Sequence, residues 1–267
     1  MTQSRTMEFN SLRVHFLEGY IQNIILVEQE GRLLLFDSGC INDVKRIQRY
    51  CQENLHRSPT DIKLTAVTHI HPDHAGGAVC LRKRFGIPIA AHKDVDRWYR
   101  GMSGLLQHQL DCYLATVVAV RNRRRLEQIH YRRRINPDYR LEDGQKLPFF
   151  PEWKVIHVPG HIAHDLAFYH EKEQVLYTAD LICDVKGQPQ LPLPIVFPQK
   201  MAESYDRLGS LPVRAILRAH GKPIITENSA EIFAKMRQLL NQPPTPFVQR
   251  IWKLSNHSPE IKKLDYK

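Results

Sequence analysis

Four residues able to do metal chemistry stand within six positions: His69, His71, Asp73 and His74, followed by Gly76 and Gly77. Imidazole and carboxylate donors aimed at one volume suit zinc, iron or manganese. The apolar run Ile62, Leu64, Ala66, Val67 before them reads as a buried strand that stops at Thr68. Alternate side chains share a face in extended backbone, which sends His69 and His71 to one side. Pro72 cannot continue a strand, so the chain turns there. Asp73 and His74 then face the same point from the head of a helix expected over about 75–85. Gly76 and Gly77 let that backbone pass close to a neighbour.

Other polar residues recur where apolar runs end. Asp37-Ser38-Gly39 follows Leu33–Phe36, and Pro159-Gly160-His161 follows Trp153–Val158. Thr178-Ala179-Asp180 follows Val175–Tyr177, and Ala219-His220-Gly221 follows Ala215–Leu217. Taken singly, each reads as a turn, a cap or a structural histidine. In α/β sheets, however, sites gather where strands end, so the five loops are expected to converge.

The elements that must position these residues follow from periodicity. Residues 12–36 read as a β-meander, and 42–54 as a helix with Val44, Ile47 and Cys51 on one face. Ile87–Ala91 is a strand, Leu141–Leu147 a hairpin-like unit, and 166–177 a hairpin. Helices are expected near Met201–Leu208 and Ser229–Leu240, with a tail over about 243–267. Strands alternating with helices after a meander indicate a layered α/β sheet protein, here as one domain over 1–267.

Residues 94–138 have a different character and read as a helical insertion. Leu106, Leu110, Tyr113, Leu114, Val117 and Val118 form an apolar stripe at helical spacing, and 121–135 reads as a basic helical continuation. Between Arg97 and Arg140 there are ten Arg and no Lys against three acids, a local +7 out of the chain's +10. The stripe is expected to form a wall beside the metals or a homodimer contact. The arginines are expected either to face solvent or to favour an anionic small-molecule substrate. Few aromatics interleave with them, so nucleic acid is not the expected partner.

Hydrophobic content of 42% and charged content of 25% describe an ordinary globular chain. No apolar run reaches the roughly 18 residues that span a membrane. The first residues lack the apolar core of a secretory signal. Five scattered cysteines (40, 51, 80, 112, 183) without a C-x-x-C pair fit reduced thiols, hence an expected cytoplasmic location.

In His69-x-His71-x-Asp73-His74, Gly160-His161, Asp180, His220 and the early Asp37, the sequence resembles the metallo-β-lactamase superfamily, nearest in style to its glyoxalase II-like and lactonase-like branches. The resemblance implies an αββα sandwich with metals at one edge. It implies that His69, His71 and His161 bind one metal and that Asp73, His74 and His220 bind a second. Asp180 would bridge the two, and Asp37 would orient the histidine loop. It implies two Zn2+, with iron or manganese as alternatives, and a hydroxide shared between them that attacks a small ester, lactone or thioester. Asp73 would also orient that nucleophile. Two departures bear on substrate. His164 and Asp165 follow the third motif, and Cys183 stands where lactonases of this fold carry a tyrosine. The alternatives are a mononuclear iron persulfide dioxygenase of the same fold and a nucleic-acid phosphodiesterase.

Overall fold

The apolar runs of the first half build a seven-stranded sheet in chain order. In the computed structural model, which describes residues 4–185 and 187–263, β1 (Ser4–Glu8), β2 (Leu12–Glu18), β3 (Asn23–Gln29) and β4 (Arg32–Phe36) pair antiparallel. The strands β5 (Ile62–Ala66), β6 (Ile89–His92) and β7 (Tyr139–Leu141) then add in parallel. Parallel pairing needs crossovers long enough to return the chain. These are α1 (Asp43–Glu53), then α2 (Pro72–Ala75) with α3 (Ala78–Phe85), then a segment containing α4 (Gly101–Arg121).

The second half builds a six-stranded sheet from β8 (Lys146–Leu147), β9 (Phe150–His157), β10 (Leu166–His170) and β11 (Val175–Tyr177). A two-stranded ribbon, β12 (Cys183–Val185) with β13 (Gln188–Gln190), intervenes before β14 (Ala215–Leu217) and β15 (Ile224–Ile225) complete that sheet in the order β15-β14-β11-β10-β9-β8.

Alternation decides which side chains meet between the sheets. Val14, Ile25, Leu34, Phe36 and Leu64 of the first face Trp153, Val155, Phe168, Tyr177 and Leu217 of the second. Phe36 stacks on Phe168 and Tyr177 at 5.2 and 4.9 Å and meets Trp153 edge-on at 4.8 Å. Each such buried side chain contributes roughly 1.5–3 kcal/mol, so this layer dominates the fold. The outer face of the first sheet is covered by Val44, Ile47 and Cys51 of α1 and Leu81 of α3. Helices α5 (Pro198–Gly209) and α6 (Ser229–Leu239) cover the second sheet through Met201, Tyr205, Leu208, Phe233 and Met236. The result is the αββα sandwich.

Several local expectations differ from the structure. The helix expected over 75–85 is two helices, because Gly76 and Gly77 pack against loop 38–40 and break it. A Cβ on Gly77 would lie 2.8 Å from the Ser38 carbonyl. The unit 141–147 is not a hairpin: Leu141 pairs with His92 in one sheet and Lys146 with Lys154 in the other, so it is the crossing between sheets.

The basic helix over 121–135 is absent. Helix α4 ends at Arg121, Arg123 takes a left-handed φ of 56°, and the chain runs on without regular structure. Ile129, Tyr131 and Ile135 are buried, an even-numbered spacing that belongs to extended backbone rather than to a helix. The apolar stripe on α4 is likewise not its buried face: Leu106 and Tyr113 are 57% and 64% exposed. The face turned inward carries Gly104, Gln107, His108, Asp111, Cys112, Ala115 and Ala119. Polar groups and small side chains won that face because it lies beside the polar ends of the strands.

The tail folds back as α7 (Pro246–Leu254) and α8 (Pro259–Lys263) and docks on the insertion. There Ser258 donates to the Trp98 carbonyl at 2.7 Å, and the His257 amide donates to Gln107 at 2.9 Å. The expected tail's last residues, 264–267, and the first three residues of the chain lie outside the described residues. Among the described residues no helix is long and apolar enough to cross a membrane. All five cysteines are free thiols.

Candidate metal centre

Strand ends of both sheets supply this site. Asp37 leaves β4, the 67–71 segment leaves β5, His161 follows β9, Asp180 follows β11 and His220 follows β14. Backbone hydrogen bonds lace the loops together: Ser38 N–H to the His74 carbonyl at 2.7 Å, Leu166 N–H to Thr68 at 3.1 Å, and Asn23 N–H to Ala219 at 2.8 Å. Asp37 and Ala179 adopt left-handed φ values of 54° and 47°. That conformation costs a non-glycine residue about 1–3 kcal/mol, a strain that concentrates at functional sites.

The structure brings the seven expected ligands into two adjoining groups. His69, His71, His161 and Asp180 present ligand atoms within 4.8 Å of one another, and so do Asp73, His74 and His220. Asp180 joins the groups. Its Oδ2 lies 3.8 Å from His69 Nε2 and 3.6 Å from His161 Nε2, whereas its Oδ1 lies 3.0 Å from His74 Nε2 and 3.3 Å from His220 Nε2. Asp73 Oδ2 is 3.3 Å from His220 Nε2. One carboxylate thus offers one oxygen to each group.

Three of the histidines are held from behind. His74 Nδ1 donates to Asp37 Oδ2 at 2.8 Å, His69 Nδ1 meets the Thr68 hydroxyl at 3.0 Å, and His161 Nδ1 donates to the Pro194 carbonyl. A nitrogen that donates behind leaves the other with its lone pair forward, as a metal ligand requires. Asp37 touches no ligand group except His74. It accepts from the Thr68 amide at 2.7 Å and from the Tyr177 hydroxyl at 2.6 Å, so it positions the histidine loop from within the sandwich.

The donor set fits transition metals. His69 Nε2 is buried and has no hydrogen-bond partner, an expensive condition unless something else occupies that lone pair. Electrostatics agree. Burial, then His74 and His71, hold His69 far below the usual imidazole range, and burial and His161 bring His71 down to about 3. Burial opposes charge on His74 too, but Asp180, Asp37 and Asp73 outweigh it and hold His74 well above that range, so without an ion its Nε2 keeps a proton facing Asp180, which a metal would displace. Burial would raise Asp180, yet His74 and His220 keep it well below the carboxylate range. Two lone-pair donors thus sit beside anionic oxygens that demand a cation.

Sequence reasoning missed the wall on the other side of His71. Its Nε2 lies 3.7 Å from Asp111 Oδ2, and Asp111 accepts from Tyr99 OH at 2.8 Å and from Gln107 at 2.9 Å. Tyr131 donates to the Ile70 carbonyl beside it. A polar, small-residue face on a helix otherwise rich in exposed apolar side chains was the available signal. His164 joins neither ligand group; it is buried against Trp98 at 5.8 Å and His92 at 6.4 Å. Asp165 accepts from the Ile162 amide at 2.7 Å and so shapes the turn that carries His161. Cys183 is half-buried, with its sulfur 3.4 Å from the Asp180 carbonyl.

The family model for the Metallo-beta-lactamase superfamily matches residues 17–220. The chain belongs to the metallo-β-lactamase superfamily. Among curated relatives it is similar to the probable metallo-hydrolase YflN of Bacillus subtilis, at 22% identity over 80% of this chain and 86% of that protein. Among solved structures it is similar to the metallo-β-lactamase FIM-1 from Pseudomonas aeruginosa in its mono-zinc form. That match has 15% identity, a TM-score of 0.59, and coverage of 89% of this chain and 95% of that one. It is also similar to TTHA1623 in a di-iron-bound form, with 22% identity, a TM-score of 0.55, and coverage of 79% and 92%. At these identities the structural likenesses speak for the fold of this superfamily, a class of metal-dependent hydrolases.

Proposed function

We propose that this chain is a binuclear metal hydrolase acting on a small ester, lactone or thioester. The observation that carries the reading is Asp180, whose two oxygens each face a separate group of histidines. His69, His71 and His161 would hold one ion, Asp73, His74 and His220 the other, and Asp180 would be shared. Bound there, metals supply Lewis acidity and lower the pKa of water from 15.7 toward about 7. Zinc is the ion proposed first, and iron is the alternative suggested by the di-iron form of TTHA1623.

The chain's own residues do the remaining work. Asp37, Thr68 and the Pro194 carbonyl hold the imidazoles in the tautomer that points Nε2 inward. Asp73, its carboxylate only 13% exposed, stands beside His220 where it can take up a proton from water and orient it. Asp111, Gln107 and Tyr99 close the side toward α4 and align His71. A cleft of about 350 Å³ lined by four arginines (Arg46, Arg123, Arg124 and Arg125) and two acids, Glu18 and Glu127, lies at the β2–β3 turn, and Asn23 at the start of β3 is bonded to the loop of His220. This cleft supports a preference for anionic substrates.

The test is an assay of chelated and metal-reloaded protein against lactone, thioester and phosphodiester panels, with metal content measured in parallel. Ester-type hydrolysis that returns with two ions at this centre is the expected result. Turnover of a persulfide with one iron, or of phosphodiesters alone, would replace this reading.

A further inference from the structure

A second cluster of metal-ligating side chains lies outside the centre just described. His108 and Cys112 sit one turn apart on α4, at the i, i+4 spacing that stacks side chains on one face. His130 approaches them from the irregular segment that follows the helix. The three ligand atoms lie within 4.8 Å of one another. His108 Nε2 is 3.8 Å from Cys112 Sγ, close to the edge of about 3.6 Å that zinc–nitrogen and zinc–sulfur bonds of roughly 2.05 and 2.3 Å subtend in a tetrahedron.

We propose that His108, Cys112 and His130 form a metal site of their own, taking one borderline-soft divalent cation, Zn2+ first, with solvent in the fourth position. The proposal does not depend on the substrate or on the reading of the binuclear centre. The two imidazoles can offer lone pairs, whereas the thiol must first give up its proton. The His108 ring is fully buried, and its Nε2, the nitrogen turned toward Cys112, has the 3.8 Å contact to sulfur, with the Tyr131 backbone as a further polar neighbour of the ring. A buried imidazole held by so few contacts can turn a lone pair toward an ion. The Gln109 amide donates to His130 Nε2 at 3.2 Å, which requires a lone pair on that nitrogen. Burial, then His130 and Arg133, lower His108 to about 4, so it is neutral at physiological pH. Burial, then Asp111, raises the Cys112 thiol to about 12, so binding must release its proton to solvent, one per ion. His130 is exposed and leaves an entry path, while the other two ligands are buried.

The site's neighbours give it a consequence. Cys112 adjoins Asp111, which faces His71, and His130 adjoins Tyr131, which donates to the Ile70 carbonyl. An ion joining α4 to the 124–136 segment would fasten the two pieces of backbone that wall the binuclear centre. It would do so where no ladder of backbone hydrogen bonds holds them.

Cobalt distinguishes this site from the other, because only a thiolate ligand gives a sulfur-to-cobalt charge-transfer band in the near ultraviolet. Metal-free full-length protein is titrated with Co2+ alone. The band is expected in wild type, lost in Cys112→Ser and His130→Ala, and retained in Cys183→Ser and His69→Ala. His130 is exposed, so that variant keeps the test valid if Cys112→Ser fails to fold. Zinc content in His130→Ala should fall by about one equivalent relative to wild type, whatever the other centre holds. Absence of the band in saturated wild type, its persistence in folded His130→Ala, or its loss in Cys183→Ser would overturn the proposal.

Discussion

The strand-end loops and the inserted segment hold the same kind of side chain by different means. At the strand ends, His69, His74 and His161 each have one nitrogen tied to a residue behind, and the loops are joined by backbone hydrogen bonds between 2.7 and 3.1 Å. In the insertion, His108 Nε2 has a 3.8 Å contact to sulfur and His130 is held by one surface glutamine. The first region is organised before any ion arrives, whereas the second depends on packing and, by our proposal, on an ion. Removing one group should therefore cost chemistry in the first region and order in the second.

The largest effect should come from the shared carboxylate and the buried histidine. Asp180→Asn replaces a charge that faces four imidazoles, and His69→Ala removes a fully buried donor. Both should lower turnover by more than the ~10–100-fold typical of losing a residue behind the ligands. Asp180→Asn should weaken both metals together, as measured by titration against a competing chelator. Loss of only one ion would show that the two histidine groups do not share this residue.

Asp37→Ala tests the tie from behind. It leaves the His74 Nδ1–H, the Thr68 hydroxyl and the Tyr177 hydroxyl without their buried acceptor. A fall of about 10–100-fold in metal affinity or kcat is expected, with KM nearly unchanged because Asp37 lies away from substrate. Unchanged metal affinity would reduce Asp37 to a turn residue. Asp111→Asn, on the insertion side, keeps the size of the group but removes its charge beside His71 and one of the two acceptors that Tyr99 and Gln107 use. About a tenfold loss in kcat is expected, at the low end of the same range. A loss as large as that of His69→Ala would make Asp111 a ligand in its own right.

The contrast also explains what could be read from the chain. His69, His71, Asp73 and His74 were legible because a short apolar strand followed by proline dictates both alternation and turn. Asp37, His161, Asp180 and His220 were legible because each follows an apolar run and ends it. The insertion was not legible in detail. Its arginines at 123–125 and 132–134 gave no apolar period to choose between helix and extended chain, and the buried Ile129, Tyr131 and Ile135 settle it only through tertiary packing. On α4 the apolar stripe is expected beside the metals or at a contact with a second copy, and the face turned to this chain's own core instead carries Asp111 and Gln107, whose partners Tyr99 and His257 lie elsewhere in the sequence. The crossing at 141–147 is hidden for a similar reason, since Leu141 and Lys146 pair with strands of different sheets.

A further variant probes stability where sheet and insertion meet. His92, His157 and His164 cluster there, with His92 and His157 stacked at 4.7 Å. Burial, then His157, lowers His92 to about 4. Burial lowers His157, and burial with His92 holds His164 far below the imidazole range. The unfolded chain takes up these protons below about pH 6.5 while the folded chain refuses them. Stability is therefore full above pH 6.5 and declines as the pH falls toward 4, for His92 on the order of 3 kcal/mol. His92→Asn, which keeps an acceptor for the Asp94 amide, should flatten the fall of Tm between pH 6.5 and 4. A slope equal to wild type would assign the acid sensitivity to other groups.

The smallest expected effect lies at the arginine cleft, where the insertion meets the β2–β3 turn. Arg124 is paired with Glu18 at 2.5 Å, and Arg46 is paired with Glu127, so part of the charge there is already compensated. Arg123 and Arg125 are exposed and line the same cleft. Exposed charges act on a ligand through water and are screened over a Debye length of about 8 Å at physiological salt. Replacing Arg123, Arg124 and Arg125 with Gln should thus raise KM for a carboxylate- or phosphate-bearing substrate only a few-fold, in line with weak surface pairs of about 0–1 kcal/mol. The same variant should flatten the salt dependence of that KM and leave neutral substrates and kcat unaltered, because no arginine of the three touches a ligand group. An equal shift for charged and neutral substrates would mean that the change had loosened the insertion instead. The His130→Ala variant, which leaves the cleft's charge intact, provides the comparison: if it reproduces the shift, the cause is order rather than charge.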